Sequence, residues 1–321
     1  MLFSIIIPMY NERNTLDKCL SSILKQSEED YQVLIVDDGS TDASLEIAKG
    51  YEARDPRFSV ISTPHRETGA ARNKGLEYAR GEYVIYMDAD DYWLREDLLQ
   101  ILKNRIEQHP TDVLMYQMVK VTDEGDVLKR YTKPRFQRAD EVLELKDIYL
   151  DLVRDGQVLA SACNKCVRRE LLEKKGVVFR EDVLCEDIDW VLRLFSKVET
   201  IRLLNLDAYA YTQHKGESRS NQEKAPDDLV EIVTDWSRQL RQGTVPHEQA
   251  VAGFTAFEYG ICMGNYHRLS EEKKRMLREH LYLLNCGLDR KTKLIGRFHR
   301  VFGFHLTCLA IRVYLRLRRI W

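Results

Sequence analysis

The chain has 321 residues, which is enough to bury a sizeable core and corresponds by size to one large or two ordinary domains. Its formal charge is −2, and its seven cysteines are an odd number without the spacing of a secreted disulfide framework, which favours a reducing cytoplasm. Residues 1–9 lack the basic start and long apolar core of a signal peptide and are expected to form the first strand. Cys163 and Cys166 form a CxxC pair, but no second pair or nearby histidine completes a zinc set, so reduced thiols are expected.

The first 120 residues alternate between strand and helix signals. Residues 4–11 form an apolar run ended by proline, which predicts a buried strand leading into a loop. A helical stripe follows at Leu16, Leu20, Ile23 and Leu24. Further strands are predicted over residues 32–37, 58–62 and 82–87, with helix starts near residues 41 and 68. This alternation predicts an α/β fold with a doubly wound, mostly parallel sheet.

The pattern changes after residue 120. A hairpin is predicted with residues 123–126 at its turn, and a looser region extends from there to about residue 165. From about residue 227 onward the pattern is helical, with no further strand. We therefore expect a catalytic domain over residues 1–220 and a helical C-terminal region over residues 221–321.

Polar side chains follow several of the predicted strands. Ligands of an open parallel α/β sheet bind outside the carboxyl ends of its strands, where Tyr10 could stack on a base. One acid of the pair Asp37 and Asp38 could accept a hydrogen bond from the N3–H of uracil. The segment 69–75 combines small residues, which allow close backbone approach, with cations that could face a phosphate or base.

A carboxylate cluster directly follows the apolar run of residues 83–86. Asp88, Asp90 and Asp91 supply the oxygen ligands that suit Mg²⁺ or Mn²⁺, ions that are commonly held by one or two protein carboxylates while substrate phosphates complete the shell. The cluster therefore implies a diphosphate ligand. Taken alone, acids after a strand are equally consistent with a solvated turn or a helix cap.

These strand-end elements, taken together and in this order, resemble the family 2 glycosyltransferases, which have the GT-A nucleotide-diphospho-sugar transferase fold and include enzymes of bacterial polysaccharide and glycan biosynthesis. The resemblance runs from the N-terminus to about residue 215. It implies a nucleotide pocket formed by Pro8, Tyr10, Asp38 and Arg72. It also implies a DxD metal motif in which Asp90 is the direct ligand of Mn²⁺ or Mg²⁺, Asp88 lies nearer the ribose and sugar, and Asp91 is structural.

The same resemblance identifies residues 185–190 as the family's ED motif at the start of a helix. It implies that Asp187 is the general base for the acceptor hydroxyl and that Glu186 helps to place it or the acceptor. Acids at a helix N-terminus are also favoured by the helix dipole alone. The resemblance implies an inverting transfer from a nucleotide sugar, with a UDP-sugar favoured, to a hydroxyl of a glycan or a lipid-linked acceptor.

Other interpretations of the motifs can be compared with this one. A sugar-1-phosphate nucleotidyltransferase is expected to open with a glycine-rich phosphate loop, which residues 8–11 lack. A non-catalytic nucleotide-sugar-binding module is expected to lose acids at the metal or base positions, and none is missing. The polar loop after Tyr211 could close over the diphosphate or be a solvated linker. Its candidate contacts with phosphate or metal are His214, Lys215, Ser218 and Arg219.

The C-terminal tail, residues 290–321, carries nine cations and no acid. No uninterrupted apolar run in it reaches the roughly 18–20 residues that span a bilayer. Its basic and aromatic character instead suits an anionic membrane surface, and packing on the catalytic domain or self-association as a homodimer are the alternatives.

Nucleic acid is disfavoured as a partner because no base-reading motif accompanies the charge. We expect a cytoplasmic protein that is peripheral at the inner face of the cell membrane.

Overall fold

The computed structural model describes residues 1–130, 136, 138–213 and 223–318, and within them a mixed sheet of ten strands. The strands are β1 (Phe3–Met9), β2 (Tyr31–Asp37), β3 (Phe58–Ser62), β4 (Tyr83–Tyr86), β5 (Tyr92–Trp93), β6 (Val113–Val121), β7 (Val127–Arg130), β8 (Val142–Glu144), β9 (Lys165–Arg168) and β10 (Thr200–Thr212). The helices are α1 (Leu16–Leu24), α2 (Ser44–Arg54), α3 (Thr68–Tyr78), α4 (Leu98–Gln108), α5 (Leu145–Arg154), α6 (Arg169–Lys174), α7 (Glu186–Phe195), α8 (Ala225–Arg241), α9 (Glu248–Gly264), α10 (Glu271–Glu279) and α11 (Arg290–Arg318).

The first four long strands form a parallel half-sheet in the order β3, β2, β1, β4. Every residue of β1, β2 and β4 is buried, because helices cover both faces of such a sheet, and the strands are therefore mostly apolar. Met9 lies opposite Asp37, so β1 and β2 end at the same level. The parallel register gathers the polar residues that follow these strands at one edge of the sheet.

The other half of the sheet is mixed. β9 runs antiparallel between β4 and β6, β10 is parallel to β6, and the short β5 pairs antiparallel with β10. β6 and β7 form the expected antiparallel hairpin, with residues 122–126 at its turn. β10 therefore returns the chain to the residues that follow β4.

The chain divides into two compact units. The first contains residues 1–145, 160–181 and 193–215, and the second contains residues 146–159, 182–192 and 216–321. The segment 182–192 thus groups with the C-terminal helices, although it lies within residues 1–220 in sequence. The division into a catalytic domain over 1–220 and a helical region over 221–321 stays a prediction.

Helices α8 to α11 form the body of the second unit. Glycines allow close packing there, since a Cβ on Gly264 at the end of α9 would lie 2.5 Å from Leu315 Cδ1 of α11. The helical path of α11 is broken at Gly303, which has φ 74° and ψ −179°. Within the part of the chain that the structure describes, no helix combines the length and the apolar character needed to cross a bilayer.

Candidate active site

Helix α3 lies close to the sheet because the residue that faces β1 and β2, Gly75, is a glycine. A Cβ on Gly75 would lie 2.4 Å from Ile6 Cγ2 of β1 and 3.2 Å from Val36 Cγ2 of β2. A Cβ on Gly69 would lie 2.4 Å from the backbone oxygen of Arg180. This close approach places Arg72, from the middle of α3, against the strand ends.

Arg72 forms a buried ion pair with the first acid of the DxD segment. Its side chain is only 3% exposed, and its Nη2 lies 2.7 Å from Asp88 Oδ1. The guanidinium also lies over the ring of Phe179, 5.0 Å from the ring centroid. Arg72 therefore contributes a fixed positive charge at the carboxyl end of β4, where the sequence predicts nucleotide phosphates.

Three carboxylates converge after β4. Oxygen atoms of Asp88, Asp90 and Asp91 all lie within 4.8 Å of one another, and only Asp91 among the three is fully buried. Burial raises the pKa of Asp91 well above its usual range, and the negative charges of Asp90 and Asp88 raise it further. Acids arranged in this way repel one another, so a cation at the cluster relieves the repulsion.

Asp91 is bound on both of its oxygens by β10. The Tyr209 hydroxyl donates to Asp91 Oδ2 at 2.6 Å, and the backbone N–H of Thr212 donates to Asp91 Oδ1 at 2.7 Å. The Tyr209 oxygen also accepts a hydrogen bond from the backbone N–H of Asp88 at 3.2 Å. One tyrosine thus links β10 to two members of the acidic cluster and fixes the turn that carries them.

The donor set fits a hard divalent cation. All three groups are carboxylates, the ligand type that Mg²⁺ and Mn²⁺ prefer. Because both oxygens of Asp91 are already bound by β10, Asp90 and Asp88 are the residues that would hold such an ion. Two protein carboxylates are the usual number where substrate phosphates complete the coordination shell.

A second cluster lies at the ends of β1 and β2. Tyr10, which directly follows β1, is 42% exposed and stacks on His65 with ring centroids 4.2 Å apart. The ring of His65 in turn places Nδ1 2.8 Å from Asp38 Oδ2. The aromatic ring predicted to meet a nucleobase is therefore held beside the acid predicted to meet the same base.

Asp38 is buried and already accepts several hydrogen bonds. Its Oδ1 accepts from the backbone N–H of Arg66 at 2.8 Å, and its Oδ2 accepts from the backbone N–H of Glu67 at 2.9 Å. These two bonds engage one lone pair on each oxygen, while His65 Nδ1 hydrogen-bonds the backbone oxygen of Asp38 at 3.1 Å. The carboxylate therefore keeps acceptor capacity for a uracil N3–H.

The ED motif lies in the second unit, at the first turn of α7. Glu186 is 3% exposed, whereas Asp187 is only partly buried. The following acid, Asp189, is buried and accepts a hydrogen bond from the indole N–H of Trp236 in α8 at 2.8 Å. This bond ties the helix start that carries Glu186 and Asp187 to the core of the second unit.

The remaining predicted site residues fall into two groups. Pro8 is buried within β1, one residue before the end of the strand. His214, Lys215, Ser218 and Arg219 lie outside the described residues.

The structure adds three polar residues that the sequence motifs did not single out. They are His65, Tyr209 and Lys165. Lys165 starts β9 and is fully buried, with Nζ donating to Ser161 O at 2.6 Å and to Asn164 Oδ1 at 2.7 Å. The contacts of His65 and Tyr209 arise only in the folded chain.

Comparison of the sequence with known proteins identifies its family. The model of glycosyl transferase family 2 matches residues 4–175, more than half of the sequence. The chain belongs to this family. The uncharacterised glycosyltransferase EpsJ of Bacillus subtilis is 31% identical over 216 residues, which cover 66% of this chain and 61% of EpsJ. This chain therefore spans less than two thirds of that relative.

Two solved structures share the fold. TarS 1–349 of Staphylococcus aureus, in complex with UDP-GlcNAc, has a TM-score of 0.75 at 23% identity, covering 98% of this chain and 92% of that one. The mannosyltransferase PcManGT of Pyrobaculum calidifontis, in complex with GDP-Man and Mn²⁺, has a TM-score of 0.54 at 17% identity, covering 97% and 86%. The predicted family and the predicted GT-A fold are confirmed.

Proposed function

We propose that the chain is an inverting glycosyltransferase that moves a sugar from a nucleotide-diphospho-sugar to a hydroxyl of a glycan or lipid-linked acceptor. The observation that carries the proposal is the convergence of Asp88, Asp90 and Asp91 after β4, with Arg72 paired to Asp88. Carboxylates for a cation and a buried guanidinium together form a site for a diphosphate. Membership of glycosyl transferase family 2 supports the same reaction class.

The donor in this proposal is a UDP-sugar. Tyr10 offers an exposed ring for stacking, and Asp38 retains acceptor capacity for a base N–H. The structural neighbour TarS is in complex with UDP-GlcNAc, which supports uridine as the base. Arg72, already aligned by Asp88, would face the phosphates.

The cofactor in this proposal is a divalent cation, Mn²⁺ or Mg²⁺, held by Asp90 and Asp88. When bound, such an ion supplies positive charge beside the leaving diphosphate. The Mn²⁺ of the mannosyltransferase neighbour supports this cofactor class. Tyr209 and Thr212, by binding Asp91, keep the turn of the DxD segment in place.

The transfer step requires a base for the acceptor. Asp187 would take the proton of the acceptor hydroxyl as the oxygen bonds to the anomeric carbon, while the bond from that carbon to the phosphate oxygen breaks and the nucleoside diphosphate leaves. Attack opposite the leaving group inverts the anomeric centre, so an α-linked donor gives a β-glycoside. Glu186 would position the base or the acceptor.

Replacement of Asp90 tests the cation site. Asp90→Asn keeps the side-chain volume and removes the charge, so we expect it to abolish metal-dependent turnover of a nucleotide sugar while the fold stays intact. The exposed hairpin acid provides a matched control, and Asp126→Asn should keep native turnover. Retained activity of Asp90→Asn with an unchanged Mn²⁺ dependence would rule out the assignment.

Replacement of Asp187 tests the base. General-base catalysis contributes about 10²–10⁴ in rate, so Asp187→Asn should lose transfer by roughly that factor while donor binding is preserved. Donor binding is measured by thermal shift, in which a ligand at about 100 times its Kd stabilises the fold by about 2.7 kcal/mol. The screen covers nucleoside diphosphates and nucleotide sugars with and without Mn²⁺. If donor affinity falls in parallel with turnover, Asp187 belongs to the donor site instead.

A further inference from the structure

The terminal helix α11 presents a stripe of apolar side chains to solvent. Eighteen large hydrophobic side chains of the described residues are exposed, and eight of these lie within residues 294–317. In the second half of the helix, Leu309, Val313 and Leu317 recur every four residues and are 53%, 49% and 79% exposed. This spacing places them on one face of the helix, while Leu315 is buried against α9.

A basic cavity of about 170 Å³ lies between the end of α9 and the second half of α11. His267, Arg268, Arg312 and Arg316 line it, and no carboxylate is among its lining residues in the described part of the chain. Burial lowers the pKa of His267, and the charges of Arg312, Arg316 and Arg268 lower it further. Positive charge is therefore concentrated at this cavity, beside the apolar stripe.

The half-buried side chain of Arg312 has an unsatisfied donor at this cavity. Its Nε is buried without a hydrogen-bond partner, and across the residues described here neither Arg312 nor Arg316 pairs with a carboxylate. A buried donor left unsatisfied costs about 1–3 kcal/mol, so such a group calls for a ligand. In the same residues neither arginine donates to the last carbonyls of α9, so capping of that helix does not account for them.

We propose that this cavity binds the phosphate group of an anionic phospholipid while the stripe of Leu309, Val313 and Leu317 enters the acyl boundary of the bilayer. The planar guanidinium fork matches phosphate oxygens and keeps its charge at every physiological pH. An interfacial helix needs an apolar face and cations beside it, and residues 290–321 supply nine cations without an acid. The surface shares no residue with the acidic cluster after β4, so the proposal does not depend on the reaction proposed above.

Vesicle sedimentation of the full chain tests the cavity. The probes are vesicles of phosphatidylcholine alone and vesicles that also contain phosphatidylglycerol, and we expect binding only to the second kind. Arg312→Gln/Arg316→Gln should reduce partitioning roughly thirty-fold, because each cation near an anionic surface contributes about 1 kcal/mol. Lys25→Gln/Arg80→Gln removes the same charge from exposed positions of the first unit and should bind as the native chain does.

The apolar stripe and the source of the phosphate are tested separately. Leu309→Gln/Val313→Gln/Leu317→Gln changes only exposed side chains, so the protein should stay folded by circular dichroism and lose vesicle binding. Equal partitioning of native and Arg312→Gln/Arg316→Gln protein would overturn the proposal. The proposal would also be overturned if inorganic phosphate raised the melting temperature through Arg312 while the protein did not bind anionic vesicles. Conversion of a dimer into a monomer by the stripe variant would assign this face to self-association instead.

Discussion

Glu258 offers a quantitative test of the packing in the second unit. It lies in α9 and is only 6% exposed, and among the described residues it has no hydrogen bond or ion pair. Burial raises the pKa of its carboxyl from 4.5 to about 7. The folded chain therefore holds a proton on Glu258 at pH values where the unfolded chain has released it.

The sign and size of the effect follow from this difference. Between pH 4.5 and about 7 the folded state binds more protons than the unfolded state, so stability falls as the pH rises. The contribution of the protonated carboxyl is fully present below pH 4.5 and is lost as the pH rises through about 7. At about 1.4 kcal/mol for each pH unit, its ionisation lowers the free energy of unfolding by about 3 kcal/mol.

Glu258→Gln removes this ionisation while keeping the side-chain volume. We expect the variant to exceed the native chain in free energy of unfolding by about 3 kcal/mol at pH 8 and by less than about 1 kcal/mol at pH 5. The corresponding rise in Tm at pH 8 is on the order of 5–10 °C for a unit of this size. Urea denaturation at both pH values, followed by circular dichroism, measures the difference.

An exposed acid on the same helix provides the control. Glu248→Gln should change the free energy of unfolding by less than about 0.5 kcal/mol at either pH, because that side chain is already hydrated. If Glu258→Gln is no more stable than the native chain at pH 8, the carboxyl of Glu258 is solvated in solution and the reasoning from burial is wrong.

Three further variants test contacts within the two units by urea denaturation. Tyr209→Phe deletes the hydroxyl that donates to a buried carboxylate and should lose about 1–3 kcal/mol in free energy of unfolding. Gly69→Ala should lose about 1–3 kcal/mol, since its Cβ would lie 2.4 Å from a backbone oxygen, whereas Gly50→Ala, with its nearest contact at 3.5 Å, should gain up to about 1 kcal/mol. Trp236→Phe should lose about 1–3 kcal/mol because buried Asp189 loses a donor.

The positions of the early strands are accessible from the sequence. Strands predicted over residues 32–37 and 58–62 correspond to Tyr31–Asp37 and Phe58–Ser62 in the structure. Prediction works for residues 32–37 because every residue of that strand is buried and most are apolar, and for residues 58–62 because a short strand-forming run lies between turn signals. β9 was missed because its four residues include Lys165 and Arg168, and its antiparallel place between β4 and β6 depends on pairing that local periodicity does not encode.

The residues of the candidate site also divide into those that the local sequence reveals and those that only the fold reveals. The acids after β4 and the aromatic ring after β1 can be found in the sequence because their positions follow strand ends. The side chains that hold these residues in place cannot be found in the sequence. Tyr209 lies 118 residues from Asp91 along the chain, and His65 lies 27 residues from Asp38. Likewise, residues 182–192 group with the C-terminal helices through tertiary packing, which sequence order does not reveal.

The absence of a side chain at Gly75 affects the position of the charge on Arg72. With a Cβ there only 2.4 Å from Ile6 Cγ2, a larger residue has to shift either α3 or the Ile6 side chain by about an ångström to reach ordinary van der Waals contact. Arg72 belongs to the same helix and would move with it, so its 2.7 Å bond to Asp88 would lengthen beyond hydrogen-bonding range. Replacing Gly75 with alanine adds only a methyl group. A shift of α3 caused by that methyl group would nevertheless alter the charge balance where the donor is proposed to bind.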